Sequence, residues 1–476
     1  MNYGRQRIYT DATVITKENV ADEVRKAFLV HGNNRNDIDT LYQVYRGKTA
    51  ILSKKKQIRE EINHKICENR AFEVVSFYSG YIFGEPIQYV RRENPPTEEA
   101  DDKIAEDINA LNGFMSLAGK AACDTRVAKW LLIGGTSYRL GLPNKAWVKN
   151  GDEAPFKVYS LDPRNTFVVY RSDVDEEPVM GVHYVERGNG ERVFGVYTSD
   201  SYFEFVEFGE VSQKDNYVGM IPIIEYPADF SMLGVFEIVM DLLGALNELQ
   251  SNRMDDIVQF VNSFLAIMGG QLDEETYNKL NDWKTLCLPE GTDAKYLSAT
   301  LSQSDVQTLK DDITQAIFEI CGIPNRSGGA STSDNGVAVL LRDGYTAAEA
   351  RAKNIEENWK ESEMSFLRLI LRILRDTEGT SLRLVDIKPH FTRRNYENIA
   401  TKSQVLISML NNPWVHPEVA YASCGMFPDP ESAYLQGKAW KEEQEKKEAE
   451  RIADSGTGAL SGVQPITREP KGASAD

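Results

Sequence analysis

An α+β architecture with very long helices is predicted for this chain of 476 residues. Helical periodicity fills the N-terminal stretch and returns in the C-terminal half. Short β-branched and aromatic runs with turn signals lie between, and one apolar stripe repeats over about 38 residues. At about 150 residues per domain the length implies roughly three domains. Hydrophobic residues at 41% and charged residues at 26% are ordinary globular usage, which excludes a wholly disordered chain, a collagen and a coiled-coil rod. The formal charge of −18 argues against a sequence-specific DNA binder, which carries a basic footprint.

From Asn36 to about Val90 the pattern is mostly helical. Ile66, Val74, Phe77, Tyr78 and Tyr81 recur at helical spacing before Gly84 and Pro86 stop the run. A second helix is predicted from Glu98 to Ala128. Leu131 to about Tyr226 reads as strands: Val179–Glu186, the turn Gly188-Asn189-Gly190 and Arg192–Thr198 form a hairpin, and Tyr202–Phe208 extends it into an antiparallel meander. Residues 1–233 thus make one mixed α+β domain. Phe236, Met240, Leu243, Leu246, Ile257 and Val261 then mark one face of a helix over 234–262, about 43 Å long. Glu237, Asp241, Glu248, Asp255 and Asp256 dominate the rest of it, against the single Arg253.

A small β-α-β-β module over 263–303 follows: strand Phe264–Met268, helix Asp273–Trp283, and strands Thr285–Leu288 and Lys295–Leu301. In the next helix, 304–322, Ser304 and Gln307 fit a capping box, and Gly322 and Pro324 end the helix. Val306, Leu309, Ile313, Ala316, Ile317 and Ile320 lie on one face; Thr308, Asp311, Asp312, Gln315 and Glu319 make the other acidic. The loop within 323–336 is small and polar, NRSGGASTSDNG from Asn325 to Gly336, with Arg326 its only cation. The long helix opens segment 337–394: Val337, Leu341, Tyr345, Ala348, Ala352, Ile355, Trp359, Phe366, Ile370 and Leu374 repeat at steps of three and four, with one step of seven across Glu363. Leu382–Phe391 reads as a strand. Residues 395–454 are helical again, broken by Pro413, Pro417, Pro428 and Pro430, with Lys438–Asp454 highly charged. The tail 455–476 has the composition of a disordered segment.

Local signatures of chemistry are absent. The nearest approach to GxxxxGK[ST] is Gly47-Lys48-Thr49, where the first glycine position holds Tyr42, which argues against a packaging ATPase or helicase. Gly188-Asn189-Gly190 suits a hairpin better than a dinucleotide loop, since the third glycine position is Val193. His31, His64, His183, His390 and His416 are never paired at i+3 or i+4. The acidic run Asp173-Val174-Asp175-Glu176-Glu177-Pro178 lacks the glycine of a calcium loop and reads as a solvated turn. The five cysteines lie at least 34 residues apart, without a CxxC pair, as in a reducing compartment. MNYGRQRIYT carries no secretory signal and no uncharged apolar run reaches about 18 residues, so the expected product is soluble, made in a cytoplasm, and needs no cofactor or metal.

Four stretches carry a resemblance. They are Tyr45-Arg46-Gly47-Lys48 with Asn69-Arg70-Ala71 and Gly80-Tyr81-Ile82-Phe83-Gly84-Glu85-Pro86-Ile87; Ile223-Ile224-Glu225-Tyr226-Pro227 leading to Gly234-Val235-Phe236-Glu237 and Leu246-Asn247-Glu248-Leu249-Gln250-Ser251; Lys295-Tyr296-Leu297; and Asp334-Asn335-Gly336-Val337-Ala338-Val339-Leu340-Leu341. In this order, over roughly 40–375, the chain resembles portal proteins of tailed double-stranded-DNA bacteriophages, of the type common in siphophages of Gram-positive hosts. The resemblance implies a homo-oligomeric ring, most often of twelve subunits, at one capsid vertex of a virion assembled in the host bacterial cytoplasm. Double-stranded DNA passes through the channel without sequence specificity, and no membrane is involved. The implied partners are the terminase large subunit, head–tail adaptors, and the major capsid and scaffold proteins.

Carried onto this sequence, the resemblance makes 1–233 the wing and 337–394 the long helix with a returning wing strand. Helices 234–262 and 304–322 become the stem, and 395–454 the helical crown. The clip, 263–303, would dock terminase and adaptors through Asp273, Glu274, Glu275, Asp282, Trp283, Lys284 and Glu290. The loop within 323–336 resembles the tunnel loop, with Asn325, Arg326, Ser327, Gly328, Gly329, Ser331, Thr332, Ser333, Asp334 and Asn335 at the channel. Gly328 and Gly329 would let it change shape around helical DNA. If Asp311, Asp312, Gln315 and Glu319 line the lumen, their face would repel the duplex and give passage without binding; the same face could instead meet a neighbouring subunit or point outward. The rival readings are another phage structural protein, such as an adaptor or scaffold, and a hydrolase whose site is assembled from distant residues. The module and loop between two long helices favour the portal, because adaptors and scaffolds have no use for them.

Overall fold

A computed structural model of the protein describes residues 4–57, 60–92, 98–149, 151–207, 209–261, 264–268, 293–297, 303–324, 345–392, 399–427 and 430–457. They fall into two units, Met1–Arg394 and Asn395–Asp476.

The first unit opens with strand β1 (Ile8–Thr10) and helix α1 (Val20–Tyr45). After a 3₁₀ turn at Ala50–Ser53 come α2 (Arg70–Phe83), β2 (Gln88–Arg91), α3 (Glu98–Leu117) and α4 (Lys120–Gly134). Two expectations need correction here. Among the described residues the helical reading of Asn36–Val90 fails between Arg46 and Asn69, where Ala50–Ser53 is a 3₁₀ turn and Ile66 lies in extended chain. The single helix Glu98–Ala128 is two, because Gly119 sits at φ 67°, a left-handed conformation that only glycine takes without strain. Helix α4 then carries Leu131–Gly134, where the sequence predicts strand.

Strands β3 (Thr136–Pro143), β4 (Phe156–Leu161), β5 (Thr166–Arg171), β6 (Pro178–Glu186), β7 (Arg192–Tyr197), β8 (Ser201–Val206), β9 (Ser212–Asp215) and β10 (Ile223–Pro227) follow. The antiparallel meander forms as the alternation predicts, in the order β5-β6-β7-β8-β9, and β1 joins its β5 edge in parallel. One face of that sheet takes α1: Val20, Val24 and Ala27 pack with Ile8, Phe167, Val182, Tyr184 and Phe194. A second sheet has the order β10-β3-β4. The chain turns from α4 into β3 at Gly135, φ 76°, where a Cβ would lie 1.8 Å from the Met232 carbonyl oxygen, so no other residue fits.

The rest of this unit is α5 (Met240–Val261), preceded by a 3₁₀ turn at Glu237–Val239, then β11 (Phe264–Met268) and β12 (Asp293–Leu297), which pair antiparallel, and α6 (Gln303–Cys321). The expected helix Asp273–Trp283 and strand Thr285–Leu288 lie outside the described residues. Helix α6 is two residues longer at its start than the Gln307 end of a capping box allows: Ser304 is inside it, and Gln307 donates instead to Asp311 Oδ1 at 2.8 Å. Helix α7 (Tyr345–Thr377) runs 33 residues, about 50 Å; residues 337–344 of the expected helix lie outside the described residues. The expected strand Leu382–Phe391 shrinks to β13 (Ile387–His390), paired with β2, because Leu384–Asp386 folds as a 3₁₀ turn closed by Arg383 and Asp386.

The second unit holds α8 (Ile399–Leu410), α9 (Pro417–Cys424) and α10 (Pro430–Thr457). Pro417 opens α9 at a position where its missing N–H costs nothing, and the His416 ring caps it by accepting from the Glu418 amide at 3.3 Å. Residues 455–457, expected to be disordered, continue α10.

Candidate functional site

The elements expected to build a channel centre on α5 and α6, and their side chains fix what faces outward. Of the apolar face predicted for this stretch, Phe236, Leu243 and Leu246 are buried and Met240 is half-buried, but Ile257 is 38% exposed; two acids predicted on the polar side, Glu237 in the 3₁₀ turn and Asp255 on α5, are buried as well. Glu237 accepts from the Arg5 guanidinium at 2.6 Å and from the backbone amides of Gly4 and Gly234, both at 3.0 Å. Asp255 accepts from the His64 amide at 2.7 Å and faces Lys56 Nζ at 2.5 Å. Burial opposes its ionisation, yet Lys56 and His64 hold its carboxyl below the usual range.

Asp255 belongs to a polar ladder along α5. Asn247, Ser251 and Asp255 stand at steps of four on one stripe of α5. The extended chain beside it presents alternate amides to that stripe: Glu68 donates to Asn247 Oδ1 at 2.7 Å, Ile66 to Ser251 Oγ at 2.9 Å, and His64 to Asp255. Lys54 Nζ adds a bond to Asn252 Oδ1 at 2.6 Å. The described residues of 54–68 are thus strapped to the helix, with the His64, Ile66 and Glu68 amides satisfied by its side chains. The sequence signal was present as three polar residues every fourth position on a helix otherwise read as amphipathic.

On α6 only Ile317 and Cys321 of the inner face are buried. Leu309 and Ile320, assigned to the apolar face, are half exposed at 50% and 47%. Asp311, Asp312, Gln315 and Glu319 are all exposed, and Gln315 donates to Glu319 at 2.6 Å. The clip residues Asp273, Glu274, Glu275, Asp282, Trp283, Lys284 and Glu290 lie outside the described residues. So do the loop residues Asn325, Arg326, Ser327, Gly328, Gly329, Ser331, Thr332, Ser333, Asp334 and Asn335.

Helix α7 anchors the first unit through its one interruption. Ala348, Ala352, Ile355, Trp359, Phe366, Ile370 and Leu374 are buried, and so is Glu363 in the gap of seven. The Arg139 guanidinium donates to Glu363 Oε2 at 2.8 Å and also to Asp124, while Lys120 Nζ lies 3.0 Å from Glu363 Oε1 and 2.5 Å from Asp124. Tyr89 and Tyr226 donate to the two Glu363 oxygens at 2.5 and 3.0 Å. Burial opposes the charge on Glu363, but Arg139 and Lys120 overcome it and hold the carboxyl at about 2. Two cations and two carboxylates balance, and every element that meets there is tied to α7. Among the described residues no group of three His, Cys, Asp or Glu is placed to hold a metal ion, and no helix is long and apolar enough to cross a membrane.

No curated protein matches the sequence. Among solved structures, the neck of a native gene transfer agent particle, computed with C12 symmetry, is similar at 14% identity and TM-score 0.45, covering 83% of this chain and 94% of that chain. The neck of the empty particle gives 14% identity and TM-score 0.48 over the same shares. Sequence is the stronger link: the model of the family described as "Phage portal protein, SPP1 Gp6-like" matches residues 28–455, and the chain belongs to that family.

Proposed function

We propose that this chain is the subunit of a portal ring, most simply of twelve copies, at one vertex of a tailed-phage capsid of the siphophage type. Double-stranded DNA enters and leaves the head through its channel. The observation that carries the reading is the family match across 28–455, which takes in α5, α6 and the long α7 together. The ring is a conduit and an assembly platform and performs no chemistry of its own; the terminase large subunit supplies the force. Residues 1–233 and 337–394 form the wing, 234–262 and 304–322 the stem, 263–303 the clip that meets terminase and later the head–tail adaptors, 323–336 the tunnel loop, and 395–454 the crown beside capsid and scaffold proteins.

The loop assignment is tested in the parent phage. Shortening Asn325–Gly336 leaves the ring able to form but yields heads that lack full-length DNA, measured by negative-stain imaging of the rings and by DNA content of purified heads. Heads filled normally by the shortened loop contradict the channel role. Loss of the ring itself contradicts the placement of this segment away from subunit contacts.

A further inference from the structure

The chain carries a charge of −18, so copies brought side by side repel one another unless opposite charges meet where they touch. One stretch of the chain reverses the sign. Within 54–68 there are five Lys or Arg against three Glu. Lys54 and the backbone amides of His64, Ile66 and Glu68 tie this segment to α5. Lys54 and Lys56 turn inward to α5; Lys55 and Lys65 are exposed and meet no carboxylate among the described residues. Leu52, in the 3₁₀ turn Ala50–Ser53 just before the strap, is 44% exposed, and Ile66, next to Lys65, is 36% exposed.

The outer face of α6 has the matching composition with the opposite sign. Asp312 and Glu319 are exposed, and Leu309 and Ile320 beside them are half exposed. The two surfaces point in different directions. Lys310 Nζ reaches back toward Glu68 of the strap, 3.8 Å from its Oε2. At 100° per residue, Asp312 and Glu319 stand about 180–200° around α6 from Lys310. A subunit therefore presents a basic strap on one side of its stem and an acidic helix face on the other, the unlike pair that a heterologous, ring-closing contact needs.

We propose that the 54–68 strap is a docking surface for a second copy of this chain, with Lys55 and Lys65 of one subunit meeting Asp312 and Glu319 of the next, around a small apolar contact of Leu52 and Ile66 with Leu309 and Ile320. The inference rests on the ring reading above. It gives the acidic face of α6 a neighbour rather than the lumen. The exposed apolar side chains favour a protein over nucleic acid as the occupant, since phosphates offer them nothing to bury against.

The test begins with the wild-type protein. Rings assembled from a mixture of light and heavy-isotope subunits are treated with a carbodiimide, which joins a carboxylate to a lysine amine as an amide only when the two touch. Mixed-isotope links from Lys55 or Lys65 to Asp312 or Glu319 are expected. Links at these residues found only within single chains, or not at all, in well-formed rings overturn the proposal. A second arm uses charge reversal. Lys55→Glu with Lys65→Glu raises the protein concentration for half-assembly by about tenfold or more at low salt. Adding Asp312→Lys and Glu319→Lys to the same chain restores it, because every interface then pairs two reversed surfaces. A fourfold variant no better than the double variant overturns the proposal. So does a double variant whose rings are as stable as wild type but whose heads stay empty, which assigns the strap to the duplex instead. A wild-type chain that makes no ring overturns the portal reading itself, and is told apart by that.

Discussion

His31 shows how a single residue records its surroundings. Its ring is buried, stacked on Phe167 with centroids 4.6 Å apart, and its Nε2 lies 3.0 Å from the Arg164 carbonyl oxygen. Burial is the main cause that pushes its pKa down to about 4; Arg35 adds to it and the Arg164 carbonyl opposes it. A base whose folded value lies below its unfolded value binds more protons when unfolded. Its contribution to stability is therefore intact above about 6.5 and is lost as pH falls toward 4. Denaturant titrations of wild type and His31→Gln, run across that window, should show the difference between them shift in the variant's favour by up to about 3 kcal/mol. A difference that stays constant with pH contradicts a neutral, buried His31.

At the scale of an element, the strap on α5 is the feature with most consequence. Asp255→Ala removes the acceptor for the His64 amide and for Lys56, leaving a half-buried amide unsatisfied. A cost of about 1–3 kcal/mol is expected, together with faster tryptic cleavage after Lys54, Lys55 and Lys56. Asp255→Asn, which keeps an acceptor, should lie between; cleavage unchanged in Asp255→Ala contradicts the ladder as the strap's anchor. The same element shows what sequence patterns can carry. The hairpin Val179–Glu186 with Arg192–Thr198 was legible because alternation and a glycine turn are local. The stripe on α7 was legible because its period persists for about nine turns, and the gap at Glu363 marked where the pattern meets Arg139 and Lys120. Ile66 does not continue a helix because the His64, Ile66 and Glu68 amides are satisfied by Asp255, Ser251 and Asn247, some 180 residues away, and the helical spacing of Ile66 with Val74 is fortuitous. The break at Gly119 was missed because a lone glycine in a helical pattern signals little until a left-handed φ is seen. The exposed acidic face of α6 was read correctly from spacing, whereas its half-exposed Leu309 and Ile320 were not, since an apolar stripe does not tell an intramolecular contact from one with another copy.

The whole molecule is an acidic chain with one helix of 33 residues. In the proposed contact, the lysines of the strap and the carboxylate face of α6 would give an assembly that closes on itself its unlike pair of surfaces. The family match identifies the subunit, and closure into a ring is the central claim that follows from it. The most direct measurement is the mass and shape of the purified chain, by light scattering on a sizing column and negative-stain imaging, with scaffold and capsid protein added where the chain alone stays small. Twelve copies of a 53.6 kDa chain give about 640 kDa and an annulus with a central hole. A compact monomer or dimer that persists with those partners present contradicts the portal account.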